Sequence, residues 1–135
     1  MPPTARGSEC VLLAEDDTAL RALLERVLKS GGYRVLTAAD GEEALRITSA
    51  YAGEIALLVT DVVMPRMSGV ELATRLVGER PDCAVLFISG YADDAIAAYR
   101  IAPDAPFLRK PFSPDELTQR VRAVLDAREV TADAA

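Results

Sequence analysis

The sequence predicts a small doubly wound α/β sandwich, and three observations predict it. Short apolar runs of strand length alternate five times with helical periodicity along a chain of 135 residues. The alternation implies parallel strands joined by right-handed crossovers, with helices on both faces of the sheet. Four of the five apolar runs end on ionisable or hydroxyl residues, at the rim where sheets of this kind bind their ligands.

The elements follow in order. Cys10–Ala14 (CVLLA) is a continuous apolar run, and Leu20, Leu23, Leu24, Val27 and Leu28 then give the i, i+3, i+4, i+7, i+8 stripe of an amphipathic helix. Gly31-Gly32 stops that helix, and Arg34–Ala38 (RVLTA) reads as a short strand. Asp40-Gly41-Glu42-Glu43 has the form of a capping box and opens a second helix to about Ala50. Ile55–Thr60 (IALLVT) is apolar on both faces, as a central parallel strand is. Beyond a loop with Met64-Pro65, Ser68-Gly69-Val70-Glu71 caps a third helix, which Pro81-Asp82 breaks before the strand Ala84–Ile88 (AVLFI). A fourth helix near Asp93–Arg100 has the thinnest polar face, and Pro106–Arg109 is a short fifth strand. Ser113-Pro114-Asp115-Glu116 combines an N-cap, a first-turn proline and a capping-box glutamate; Leu117, Val121, Val124 and Leu125 form the buried stripe of the last helix. Residues 1–8 and 129–135 lack periodicity and read as tails around one domain spanning 9–128.

Composition narrows the chemistry. A net charge of −6 disfavours direct contact with the phosphates of nucleic acid. No apolar run reaches the roughly 18 residues of a membrane span and no signal peptide is visible, so the expectation is a cytoplasmic domain without membrane contact. The chain has no His, which removes Ser-His-Asp triads, His-ligated metals and a phosphohistidine of its own. Cys10 and Cys83, without C-x-x-C spacing, read as small buried hydrophobes.

The residues after each strand carry the functional signal. Glu15-Asp16-Asp17 follows the first, Asp61 the third, Ser89-Gly90 the fourth and Lys110-Pro111 the fifth. Carboxylates gathered on one rim repel, and the usual remedy is a hard divalent cation such as Mg²⁺, which takes oxygen ligands. Asp16 and Asp61 suit that role, with Glu15 an outer or water-mediated ligand; Asp17 reads instead as a helix cap. Lys110 offers a compact charge for a phosphoryl oxygen and Ser89 a hydroxyl for another. The choice of Lys is informative, because only two of the 15 basic residues, Lys29 and Lys110, are lysines. A carboxylate beside a cation site, an ammonium and a hydroxyl make a site for attack by Asp on phosphorus.

These residues resemble the receiver domain of two-component response regulators over Cys10 to Leu125. The resemblance is carried by V-L-L-A-E-D-D, L-L-V-T-D-V-V-M-P-R-M-S-G, L-F-I-S-G-Y and L-R-K-P-F, four motifs in order, each at its own strand end. It implies a flavodoxin-like (βα)5 three-layer sandwich with strand order 2-1-3-4-5. It makes Asp61 the phosphorylated residue, Glu15 and Asp16 the acidic pair, Asp16 and the Val63 carbonyl ligands of Mg²⁺ (Mn²⁺ a possible substitute), Ser89 the switch hydroxyl and Lys110 the phosphate-binding lysine. It also implies a cis Lys110–Pro111 bond. Phe107 stands at the switch aromatic position, where many relatives carry Tyr, so a switch through an outward hydroxyl is not available to it. Val63 and Tyr91, two residues past Asp61 and Ser89, imply slow loss of the phosphoryl group.

The implied role is a phosphoacceptor in a phosphorelay, a protein that catalyses only its own phosphorylation and dephosphorylation. Its partners would be a histidine kinase or histidine phosphotransfer domain and a downstream protein effector, and it would be a monomer or weak homodimer. The motifs resemble most closely the C-terminal receiver of hybrid sensor histidine kinases, with residues 1–8 the end of a linker; a stand-alone regulator and a non-phosphorylated docking module are the alternatives. An aspartyl phosphatase would need a second Asp where Val63 stands, and Glu15-Asp16-Asp17 would repel the phosphate of a flavin. With strand order 2-1-3-4-5, Cys10 and Cys83 lie about 9–10 Å apart across the intervening strand, out of reach of a disulfide.

Overall fold

The computed structural model describes residues 8–90 and 92–134. Ten elements alternate along the chain: β1 (Cys10–Ala14), α1 (Thr18–Ser30), β2 (Arg34–Ala38), α2 (Gly41–Ala50), β3 (Leu57–Asp61), α3 (Gly69–Glu79), β4 (Ala84–Ser89), α4 (Ala92–Tyr99), β5 (Phe107–Arg109) and α5 (Pro114–Ala134). The five strands form one parallel sheet in the order β2-β1-β3-β4-β5. The reversal lies between β1 and β3, the strands that end beside Glu15 and on Asp61.

Two apolar layers sandwich the sheet. On one side Leu12, Leu58 and Phe87 pack with Ala44 of α2, Leu72 and Leu76 of α3 and Ala95 of α4. On the other, Val11, Leu13, Val59 and Ile88 pack with Leu24 and Leu28 of α1 and Leu117, Val121 and Leu125 of α5. β1 and β3 are buried on both faces along their whole length, which is why Cys10–Ala14 and the stretch from Leu57 to Val59 are apolar without alternation. Among the described residues no helix is long and apolar enough to cross a membrane.

The helix starts use the caps that the sequence carries. Asp17 accepts from the Leu20 amide, Asp40 from Glu43, Ser68 from Glu71 and Ser113 from Glu116. The Glu116 carboxylate reaches back to the Ser113 amide and completes the reciprocal pairing, while the Glu43 carboxylate accepts from the Ala39 amide, one residue before the Asp40 cap. The last helix departs from expectation, since α5 runs to Ala134 through residues assigned above to a tail. The apolar stripe ends near Leu125, but no Gly or Pro follows to stop the helix, so helical backbone outlasts helical periodicity. The expected N-terminal tail lies outside the described residues apart from Ser8.

Cys10 and Cys83 are both free and buried. Burial pushes the Cys83 thiol up to about 12 and raises Cys10 as well.

Candidate phosphoryl-acceptor site

The carboxyl ends of β1, β3 and β5 converge on one cluster. Glu15, directly after β1, is only 1% exposed, and Asp61, the last residue of β3, is buried too. Lys110 follows β5, and its ammonium lies 2.8 Å from Asp61 Oδ2 and 3.3 Å from Glu15 Oε1. The peptide bond from Lys110 to Pro111 is cis. One carboxylate oxygen from each of Glu15, Asp16 and Asp61 falls within a mutual 4.8 Å. A set of hard oxygen donors at that spacing suits a divalent cation of the Mg²⁺ class.

The electrostatics are frustrated rather than balanced. Burial pushes the Glu15 carboxyl up to about 7, and the Asp61 charge adds to that, against the Asp17 amide and Lys110, which favour the carboxylate. Burial also works against the Lys110 ammonium, but the hydrogen bond to Asp61 and the charges of Asp61 and Glu15 outweigh it and raise the lysine above its usual range. The Lys110 ammonium thus stands among three carboxylates, and burial makes Glu15 resist ionising.

The rest of the shell comes from backbone geometry. The Val63 amide donates to Asp61 Oδ1 at 3.2 Å, which fixes the carboxylate while Val63 itself is 51% exposed. The Asp61 carbonyl accepts from the Thr60 hydroxyl at 2.9 Å. A Cβ at Gly69 would stand 2.1 Å from that carbonyl, so only glycine lets α3 begin there, with its amide on the Val62 carbonyl. A Cβ at Gly41 would stand 2.6 Å from the Met67 sulfur, and Arg66 binds Asp40 at 2.8 Å, tying the loop after β3 to the start of α2. On the β1 side the Arg21 guanidinium donates to the Glu15 carbonyl at 2.8 Å, while Glu15 Oε2 accepts from the Asp17 amide at 3.0 Å.

The structure therefore brings Glu15, Asp16, Asp61 and Lys110 together. Ser89 is buried at the end of β4, beside the Asp61 strand, and its carbonyl accepts from the Lys110 amide. Phe107 begins β5, half-buried against the apolar layer of α2, α3 and α4 and in register with Phe87. Tyr91 lies outside the described residues. Sequence reasoning missed Thr60, Gly69 and Arg21. Thr60 and Gly69 stood inside a recognised motif without a role of their own, and for Arg21 the available signal was its place four residues after the capping Asp17.

The response regulator receiver domain family matches residues 11–122. Sensor kinase CckA of Brucella abortus is 44% identical over 125 residues, which cover 91% of this chain but 13% of that protein. The response regulator receiver protein CpdR of the same organism is 38% identical, over 87% of this chain and 97% of CpdR. Among solved structures, the receiver domain of the hybrid histidine kinase CckA superposes with a TM-score of 0.73 at 40% identity, covering 86% of this chain and 98% of that one.

Proposed function

This chain belongs to the response regulator receiver domain family, and on that premise we propose that it accepts a phosphoryl group from a phosphohistidine on a partner protein onto Asp61. The observation that carries the reading is the buried Asp61 carboxylate held between the Lys110 ammonium at 2.8 Å and the Val63 amide at 3.2 Å. An Asp61 oxygen attacks phosphorus, the bond from phosphorus to the donor imidazole nitrogen breaks with its electrons remaining on that nitrogen, and an acyl phosphate forms. Lys110 neutralises charge on the transferring oxygens, and the Ser89 hydroxyl donates to another of them. Asp16, Asp61 and the Val63 carbonyl, with Glu15 through water, would hold Mg²⁺, or Mn²⁺ in its place, which when bound supplies further neutralisation of the phosphoryl oxygens.

Loss of the group to water resets the domain, and the chain is not a catalyst acting on other molecules. Contacts from the phosphoryl group to Ser89 and Lys110 bias the packing of β4, α4 and β5, with Phe107 moving as the aromatic of that face, and present it to a downstream effector. The setting is cytoplasmic. The similarity to CckA favours the receiver of a hybrid histidine kinase as the parent protein. A stand-alone regulator is the second reading, favoured by the match to nearly the whole of CpdR.

The test is intact mass after incubation with acetyl phosphate, with and without Mg²⁺. The expected result is one phosphoryl group added with Mg²⁺ and none after chelation; addition that is indifferent to Mg²⁺ would contradict the site.

A further inference from the structure

Asp16 is the exposed member of the acidic cluster, between two carboxylates that burial fixes in place. Its position is set by the two peptide groups that flank it, one anchored from α1 and the other by the Glu15 side chain within the turn. The peptide before Asp16 carries the Glu15 carbonyl, which accepts from Arg21 Nη1 at 2.8 Å. The peptide after it carries the Asp17 amide, which donates to Glu15 Oε2 at 3.0 Å. Arg21 is itself held by the helix it belongs to. Its own amide donates to the Asp17 carbonyl at 2.8 Å, and Asp17 caps α1 through the Leu20 amide. The loop from β1 to α1 is thus closed on itself by one guanidinium, which also brings positive charge to a turn of three consecutive acids.

We propose that Arg21 is a positioning residue for the metal-binding face of the site: it orients the Glu15–Asp16 peptide so that the Asp16 carboxylate meets those of Glu15 and Asp61. The proposal rests on the reading of that cluster as a Mg²⁺ site. A charged donor on a carbonyl gives a stronger and more directional bond than a neutral one, and partners that orient ligands from behind commonly affect metal affinity about as strongly as a weak ligand does.

The test is Mg²⁺ binding to the full chain by titration calorimetry, for wild type, Arg21→Ala and Arg21→Lys, together with amide hydrogen exchange in the absence of metal. Arg21→Ala should raise the Kd for Mg²⁺ about tenfold, and Arg21→Lys should recover part of the loss. In the metal-free protein the Asp17 amide should exchange faster in Arg21→Ala while the amide of Leu24, deeper in α1, keeps its protection. A simple stabilising strut would instead speed both amides and leave the Kd within twofold of wild type, and that result overturns the proposal. Wild type that binds no Mg²⁺ overturns the reading of the site together with it, whereas normal wild-type binding with an unchanged Arg21→Ala variant overturns the role of Arg21 alone.

Discussion

The two ends of the sheet hold their charged groups in opposite ways. At the amino end, Arg80 spends its guanidinium on the carbonyls of Gly53, Thr48 and Tyr51 at 2.8, 2.9 and 2.6 Å. Arg128 there bonds the Asp82 carbonyl, and Arg122 nearby holds Glu9 at 2.8 Å and Asp126 at 3.0 Å. Each cation meets acceptors that belong to the fold, and these networks are closed. At the carboxyl end, among the described residues, Glu15, Asp16 and Asp61 share the Lys110 ammonium, which pairs with Glu15 and Asp61 and leaves the cluster with more carboxylates than cations. Closed networks stabilise; the open one has negative charge left over, which a divalent cation can offset so that a phosphoryl group can approach.

Substitutions can break that contrast at either end. The largest effect is expected at Lys110, where Lys110→Ala should slow phosphorylation by roughly a hundredfold, read from mass against time, because the removed group faces developing charge on the phosphoryl oxygens. Gly69→Ala, by placing a methyl against the Asp61 carbonyl, should cost at least about 2 kcal/mol in urea unfolding and slow phosphorylation too. Arg80→Ala should leave three carbonyls without their donor and cost about 1–3 kcal/mol, yet leave the phosphorylation rate at the wild-type value. A rate that fell in step with stability would mean the two ends are not independent.

The smallest effect is expected at the thiols. With Cys83 pushed up to about 12, the thiolate at pH 8 is on the order of one molecule in ten thousand. Iodoacetamide should label neither buried cysteine until the protein unfolds; rapid native labelling would place one of them on a mobile surface.

The open end was the more legible one in sequence. Each of its charged residues stands directly at a strand end, where chain order alone predicts a shared rim, and the caps at Asp17, Asp40, Ser68 and Ser113 were equally readable because their partners lie three residues away. The closed end was not, since Arg80 finds carbonyls about 30 residues earlier in the chain, a pairing that exists only once α2 and α3 pack together. Gly69 was opaque for a related reason, being required by an approach to the Asp61 backbone, and Arg21 was passed over although its partner lies one helical turn and a loop away. The extension of α5 to Ala134 escaped because a helix can continue where its apolar stripe has ended.

The most direct measurement is intact mass after Mg²⁺-dependent exchange with a phosphorylated histidine donor domain, wild type beside Asp61→Asn. A single phosphoryl group gained by wild type and absent from Asp61→Asn is the predicted result. Equal gain by both proteins, or none by wild type from either the histidine donor or acetyl phosphate, would contradict Asp61 as the acceptor.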